Sequence, residues 1–160
     1  IKLAESVLDE QKPQINERKL KVSIVFDKTI PLISVDPKLL RMVVQNLLSN
    51  AVKYTPEKGK IEFSLSLDKE KKNVLIKISD TGYGIPKNQQ DKIFTKLFRA
   101  DNVREKDTEG TGLGLYIVKS VIEHSGGKIW FKSEEDKGTT FNITLPLEGM
   151  KKKEGTKALA

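Results

Sequence analysis

Asn46-Leu47-Leu48-Ser49-Asn50-Ala51-Val52-Lys53-Tyr54 is the stretch on which the reading of this chain turns. It lies in a segment with every mark of a helix. Asp36 is a good N-cap, and Pro37 suits the first helical position. Apolar residues then recur at Leu39, Leu40, Val43, Val44, Leu47, Leu48, Ala51 and Val52, a wide stripe meant for a core. Asn46, Asn50 and Lys53 fall at i, i+4 and i+7, on one line of the same helix. Asparagine is a weak helix former, so two of them aligned with a lysine ask for a reason. Amide oxygens suit a hard cation such as Mg²⁺, and an ammonium suits phosphate oxygens. Tyr54 can lay its ring against a base. A solvated helix edge is the other reading of the same line.

Two further segments bear on that choice. Val74-Leu75-Ile76-Lys77-Ile78 reads as a strand and runs into Ser79-Asp80-Thr81-Gly82-Tyr83-Gly84-Ile85-Pro86. A carboxylate at a strand end, before a Gly-x-Gly turn, is placed to accept from an exocyclic amine, and glycines let backbone come close to a ligand. Later, Gly110-Thr111-Gly112-Leu113-Gly114-Leu115 leads into a helix whose N-terminus offers free N–H groups to phosphates. The usual nucleotide fingerprints are missing. No Gly-x-x-x-x-Gly-Lys-Ser/Thr occurs. Lys87 and Leu115 stand where a third glycine would complete Gly-x-Gly-x-x-Gly.

In these segments the chain resembles the catalytic, ATP-binding domain of bacterial sensor histidine kinases, within the gyrase–chaperone–kinase–mismatch-repair ATPase superfamily. Asn46 to Tyr54 matches that family's N box, and Asp80-Thr-Gly82-Tyr-Gly84-Ile85 its first glycine box. Ile93-Phe94-Thr-Lys-Leu97-Phe98-Arg99-Ala-Asp101 matches the F box. Gly110 to Leu115 matches the second glycine box, and Gly138-Thr139-Thr140-Phe141 the last. The resemblance implies that Asn50 coordinates Mg²⁺, with Asn46 supporting metal and phosphates. It gives Lys53 and Arg99 to the phosphates, Tyr54 to adenine stacking and Asp80 to the adenine amine, with Thr139 assisting through a water. Gly110, Gly112 and Gly114 would hinge a lid and cradle phosphates. Gly82, Gly84, Ile85, Phe94, Thr111, Leu113 and Leu115 complete the implied nucleotide contacts. The F box departs from the pattern at Leu97-Phe98, where an aromatic pair is more usual.

Composition narrows the alternatives. At 160 residues with 37% apolar content, the chain is one globular domain with room for a core. It has no cysteine, so no disulfide and no thiolate metal site, and its one histidine excludes a multi-histidine zinc site. No apolar run approaches membrane-spanning length and no signal peptide is present, so a cytoplasmic domain is expected, with a membrane anchor left to a longer parent. The net charge of +7 does not indicate nucleic acid, because four tail lysines stand against one glutamate and the rest is mixed with acids.

Along the chain, residues 1–17 read as a helix, 20–26 as an alternating strand, and 60–67 and 74–79 as a strand pair. Pro86 opens a short helix to about Phe94. Thr95 to Thr111 has no period and reads as a mobile lid. Gly112 to His124 reads as a helix closed by Gly126-Gly127, and 128–133 with 139–145 as a hairpin. The expected fold is an α/β (α+β) two-layer sandwich. It has a mixed, mostly antiparallel sheet of about five strands, with three helices on one face; the resemblance implies the Bergerat ATP-binding fold. The expected division is a connecting helix over 1–17, a catalytic domain over 18–148 and a disordered basic tail over 149–160.

One substitution bears on the reaction. In the related gyrase and chaperone ATPases a glutamate four residues before the metal-binding asparagine activates water. Here that position is Asn46, which cannot serve as a general base. The resemblance therefore implies transfer of the γ-phosphoryl group to a histidine on a separate dimerisation domain, with a response regulator downstream and a homodimeric parent. The isolated domain is expected to be monomeric. His124, near a helix end, reads as structural. The other readings are an ATP-binding clamp or ATPase, and a serine kinase of the anti-sigma type.

Overall fold

A computed structural model describes residues 1–104 and 110–150. The chain runs α1 (Lys2–Glu17), β1 (Lys21–Phe26), α2 (Pro37–Tyr54), β2 (Lys60–Leu67) and β3 (Asn73–Asp80). A 3₁₀ segment (Lys87–Lys92) and the single turn α3 (Asp101–Arg104) come next. The chain ends in α4 (Gly114–His124), β4 (Lys128–Glu134) and β5 (Gly138–Pro146). Five strands form one sheet in the order β1-β2-β3-β5-β4. Only β1 and β2 are parallel, and α2 supplies the crossover that a parallel pair requires. The expected two-layer architecture is therefore the observed one.

Strand alternation decides which face is covered. Ile61, Phe63 and Leu65 of β2, Val74, Ile76 and Ile78 of β3, and Phe141, Ile143 and Leu145 of β5 are all buried. They meet α1, α2 and α4 on one side. The alternate positions carry Glu62, Lys77, Ser79 and Thr140. A Lys77–Glu62 ion pair of 3.0 Å and a Ser79–Thr140 hydrogen bond of 2.7 Å hold them to one another. This is the division expected of an antiparallel sheet with one wet face.

Helix α2 lies at the centre, packed between α1 and α4. Val43, Val44, Leu47, Leu48, Ala51 and Val52 are its buried stripe. The Asp36 carboxylate accepts from the N–H groups of Lys38 and Leu39 at 2.9 and 3.1 Å, with Pro37 behind it, so the helix starts where its cap dictates. Asp36→Ala is expected to lower stability by about 1 kcal/mol in urea unfolding, with no change in slope.

Several local expectations are corrected. Strand β1 begins at Lys21, and its alternation does not bury it. Ile24 is 49% and Val25 58% exposed, because an edge strand with a single neighbour lies at the margin of the helical layer. The short helix expected from Pro86 to about Phe94 is a 3₁₀ helix over Lys87–Lys92. The last helix starts at Gly114, not Gly112. The expected loop over 95–111 contains α3; residues 105–109 of it lie outside the described residues. Of the expected tail, Gly149 and Met150 stay attached, with Met150 N–H donating to the Ser34 carbonyl at 2.8 Å. Residues 151–160 lie outside the described residues. The N-terminal helix packs on α2, with Arg41 donating to Glu10 at 2.6 Å and to Ser6 at 3.0 Å.

Candidate functional site

A cavity of about 240 Å³ opens between the C-terminal half of α2, the end of β3 and the N-terminus of α4. From α2, Asn46, Asn50, Lys53 and Tyr54 line it. From the β3 end and the turn after it come Asp80, Gly84 and Ile85. Thr139 enters from β5, and Arg99 from the segment before α3. Gly110, Thr111, Gly112, Gly114 and Leu115 close the far wall. Asn46 and Thr139, far apart in the chain, thus share one space.

Three expected contacts fall elsewhere. Gly82 lies behind the wall, where its N–H donates to Asp80 Oδ1 at 2.8 Å. Phe94 packs edge-on against Phe131 and Phe141, at centroid distances of 5.8 and 6.5 Å. Leu113 is the N-cap position of α4 and does not line the cavity. Other residues line it without having been singled out: Leu47, Ala51, Ile93, Phe98, Ala100, Val103 and Phe141. Leu47 and Ala51 belong to the buried stripe of α2, so periodicity marks them as core and cannot say that the core ends at a cavity. Only the tertiary arrangement shows this.

Among the described residues, Asp80 is the most perturbed titratable group. Its Oδ1 accepts from the N–H groups of Gly82 at 2.8 Å and Thr139 at 3.3 Å. Its Oδ2 makes no hydrogen bond among the described residues, which leaves it for the cavity. Burial pushes its carboxyl up to about 6, against the opposing pull of those two N–H donors. At neutral pH it is still an anion, and so an acceptor.

The Asn46 amide is oriented by the backbone. Its Nδ2 donates to the Met42 carbonyl at 2.8 Å, so Oδ1 is the atom turned outward, towards Gly114. A side chain at 114 would come within 2.5 Å of that oxygen, so the two helices approach closely only because residue 114 is glycine. Asn50, one turn on, makes no side-chain hydrogen bond among the described residues. Lys53 is exposed, with its ammonium 5.8 Å from the Tyr54 ring centroid.

Helix α4 has Leu113 at its N-cap and no side-chain cap bond. Its first N–H groups therefore meet the cavity with the positive end of the helix dipole behind them. The approach to this end is pinned. Leu97 N–H donates to the Gly112 carbonyl at 3.0 Å, and Gly112 has φ +70, a conformation that favours glycine. Asn102 of α3 donates to the Gly84 carbonyl at 3.0 Å, and Gln89 and Asp101 exchange two bonds of 2.7 and 2.9 Å. The described part of the expected lid thus ties back to the turn that holds Asp80. His124 is remote from all this: its Nδ1 contacts the Ser120 carbonyl at 2.6 Å at the C-terminal end of α4.

Comparison with known proteins agrees with this arrangement. The family model described as histidine kinase-, DNA gyrase B-, and HSP90-like ATPase matches residues 35–149, and the chain belongs to that family. Sensor histidine kinase WalK of Bacillus subtilis is 41% identical over 114 residues, which is 71% of this chain and 19% of WalK. Adaptive-response sensory kinase SasA of Rippkaea orientalis is 39% identical over 145 residues, 91% of this chain and 36% of SasA. The chain thus spans roughly a fifth to a third of these relatives' length. Among solved structures, the catalytic domain of histidine kinase ThkA superposes with a TM-score of 0.76 at 27% identity, covering 91% of this chain and 92% of that one. Full-length ShkA in complex with AMPPNP gives a TM-score of 0.76 at 27% identity, over 90% of this chain and 29% of that one.

Proposed function

We propose that this domain binds Mg-ATP in the cavity and presents its γ-phosphoryl group to a histidine on a separate helical dimerisation domain. One observation carries the reading. A partly buried carboxylate, two amide side chains of one helix and a helix N-terminus with no side-chain cap among the described residues face a single cavity. That set offers an acceptor to a base amine, and N–H groups with a nearby lysine and arginine to a polyphosphate. Tyr54 supplies a ring face for the base.

Phosphoryl transfer asks for positioning and charge neutralisation more than covalent chemistry. Lys53, Arg99 and the first N–H groups of α4 would neutralise the phosphates. No carboxylate stands at position 46, and the Asn46 amide is bound to Met42, so the chain does not itself activate water there. The acceptor must come from elsewhere, since His124 lies outside the cavity.

The donor set fits Mg²⁺ only together with nucleotide. Neutral amide oxygens at Asn46 and Asn50 suit a hard cation that takes most of its ligands from water and phosphate. No cluster of three or more His, Cys, Asp or Glu is found among the described residues. Bound Mg²⁺ would neutralise phosphate charge. Calorimetry is therefore expected to show no Mg²⁺ binding without nucleotide and clear binding with ATP present. Tight binding of Mg²⁺ alone would contradict this.

A response regulator downstream, a homodimeric parent and a cytoplasmic setting belong to the same proposal. No helix among the described residues is long and apolar enough to cross a membrane. The test of the reaction is incubation with γ-labelled ATP. The chain alone should stay unlabelled and hydrolyse slowly. A compatible dimerisation domain bearing an accessible histidine should acquire an acid-labile label. Acid-stable label on serine would favour the serine-kinase reading, and rapid hydrolysis the ATPase clamp.

A further inference from the structure

Ser133 does not line the cavity, yet its hydroxyl touches three groups that build one end of it. Ile85 N–H donates to Ser133 Oγ at 2.8 Å. The Gly138 carbonyl lies 3.1 Å from the same oxygen, and Thr139 Oγ1 lies 2.8 Å from it. A serine hydroxyl has one proton and two lone pairs. Either hydroxyl of the Ser133–Thr139 pair could donate, and one assignment alone makes all three contacts hydrogen bonds. Ser133 receives from Ile85 N–H and from the Thr139 hydroxyl, and donates to Gly138.

That arrangement has a consequence at Thr139. Its only hydroxyl proton is spent on Ser133, so what remains for the cavity is lone pairs. Beside it stands Asp80, whose Oδ1 already receives the Thr139 and Gly82 N–H groups. In this assignment Asp80 and Thr139, among the described residues, turn acceptors and not donors to this end of the cavity. The spacing is clamped from outside, because Gln90 Nε2 donates to both the Ile85 carbonyl at 3.0 Å and the Ser133 carbonyl at 3.1 Å. Asp136 N–H donates to the Tyr83 carbonyl at 2.7 Å, and Gly84, at φ +65, lies hard against Glu134. The β4–β5 hairpin, which contributes Ser133, thus grips the turn that carries the base-binding residues.

We propose that Ser133 is a positioning residue for base selectivity: by consuming the Thr139 proton it keeps this end of the cavity acceptor-only, and so favours a purine with a 6-amine over one with a 6-carbonyl. The proposal rests on the ATP reading above. A 6-carbonyl here would meet a carboxylate and an oxygen lone pair, and buried acceptors left unpaired are what reject a wrong substrate. With Ser133 removed, the Thr139 hydroxyl turns its proton inward and satisfies that carbonyl.

The test measures dissociation constants for Mg-ATP and Mg-ITP, nucleotides that differ only on this edge of the base, with melting temperatures alongside. The unaltered chain is expected to prefer ATP by about 10-fold or more. Ser133→Ala is expected to shrink that ratio by about 5-fold, and Ser133→Thr, which keeps the hydroxyl, to retain it. Ser133→Cys, nearly isosteric but a weak hydrogen bonder, serves where the alanine variant does not fold. In a Thr139→Val background, Ser133→Ala should change the ratio by less than about 2-fold. Equal losses of ATP and ITP, with the ratio kept, would mean a merely structural serine and overturn the proposal while ATP binding stands. An unaltered chain that binds neither nucleotide overturns the ATP reading and this proposal with it.

Discussion

Asp80→Asn lowers ATP affinity by about 10- to 100-fold, the loss of one charge-assisted hydrogen bond. The substitution is nearly isosteric. Its amide oxygen can still receive the Gly82 and Thr139 N–H groups that now bond Oδ1, so the turn after β3 stays in place. What changes is the second position. An acceptor becomes an NH₂ group facing the amine of adenine, so attraction becomes a donor–donor clash. Purines with a 6-carbonyl should lose less, or gain. Calorimetry with ATP and GTP reads both effects. Unchanged ATP affinity, or equal binding of the two nucleotides by the unaltered chain, would remove Asp80 from the role assigned to it.

The same carboxylate carries a pH signature. Its folded-state pKa, about 6, lies above the ordinary 3.8 because burial disfavours the charged form. A group with a raised folded pKa stabilises the fold fully below the unfolded value, and that contribution is lost as pH rises through the folded value. The ligand-free domain should therefore gain stability from this group as pH falls from 7 towards 4. Asp80→Asn should remove that slope and leave the domain about 1–3 kcal/mol more stable at pH 7. Affinity moves the opposite way. ATP binding should weaken as pH falls through about 6, and the Asp80→Asn variant, already weak, should show no such step. Titrating both proteins with ATP cancels the ionisation of the nucleotide itself. A carboxylate retained at the expense of stability is what a binding residue looks like.

Asn50→Ala is expected to lower phosphoryl transfer by about 10³-fold or more, the scale of losing one group that stabilises transition-state charge. Stability should shift by no more than about 0.5 kcal/mol, because Asn50 is partly exposed and its side chain holds nothing else among the described residues. That contrast is the diagnostic. Leu48, two positions away on the same helix, is fully buried, and Leu48→Ala should cost about 2–5 kcal/mol. If Asn50→Ala unfolds the domain, as seen by circular dichroism, the position belongs to the core and not to the site. A companion variant, Asn46→Glu, places a carboxylate one turn before Asn50. It should raise ATP hydrolysis and lower transfer to the histidine-bearing domain.

Local rules made much of this molecule legible. Asp36, Pro37 and the apolar period placed the start of α2 to the residue, because capping and burial act within one or two turns. Alternation placed β2, and its partner to within a residue at either end, because both strands lie inside the sheet with one face covered. The line Asn46, Asn50, Lys53 and the carboxylate before Gly82 could be read as candidate chemistry because those residue types are unusual where they stand, and Asn46, Asn50, Lys53 and Asp80 line one cavity. Where the outcome depended on distant neighbours, the chain alone was silent. Alternation in β1 did not bury Ile24, since only tertiary structure decides which strand lies at an edge. Phe94 turned to Phe131 and Phe141 rather than to the cavity, because aromatic packing is settled by what the sheet brings opposite. Ser133 carries no motif of its own. Its meaning arises from Ile85, 48 residues before it, and from the hairpin that folds Thr139 back against it. The raised pKa of Asp80 is likewise a property of burial. A sequence can name the carboxylate, but only the packed structure sets how dry its surroundings are and how readily it keeps a proton.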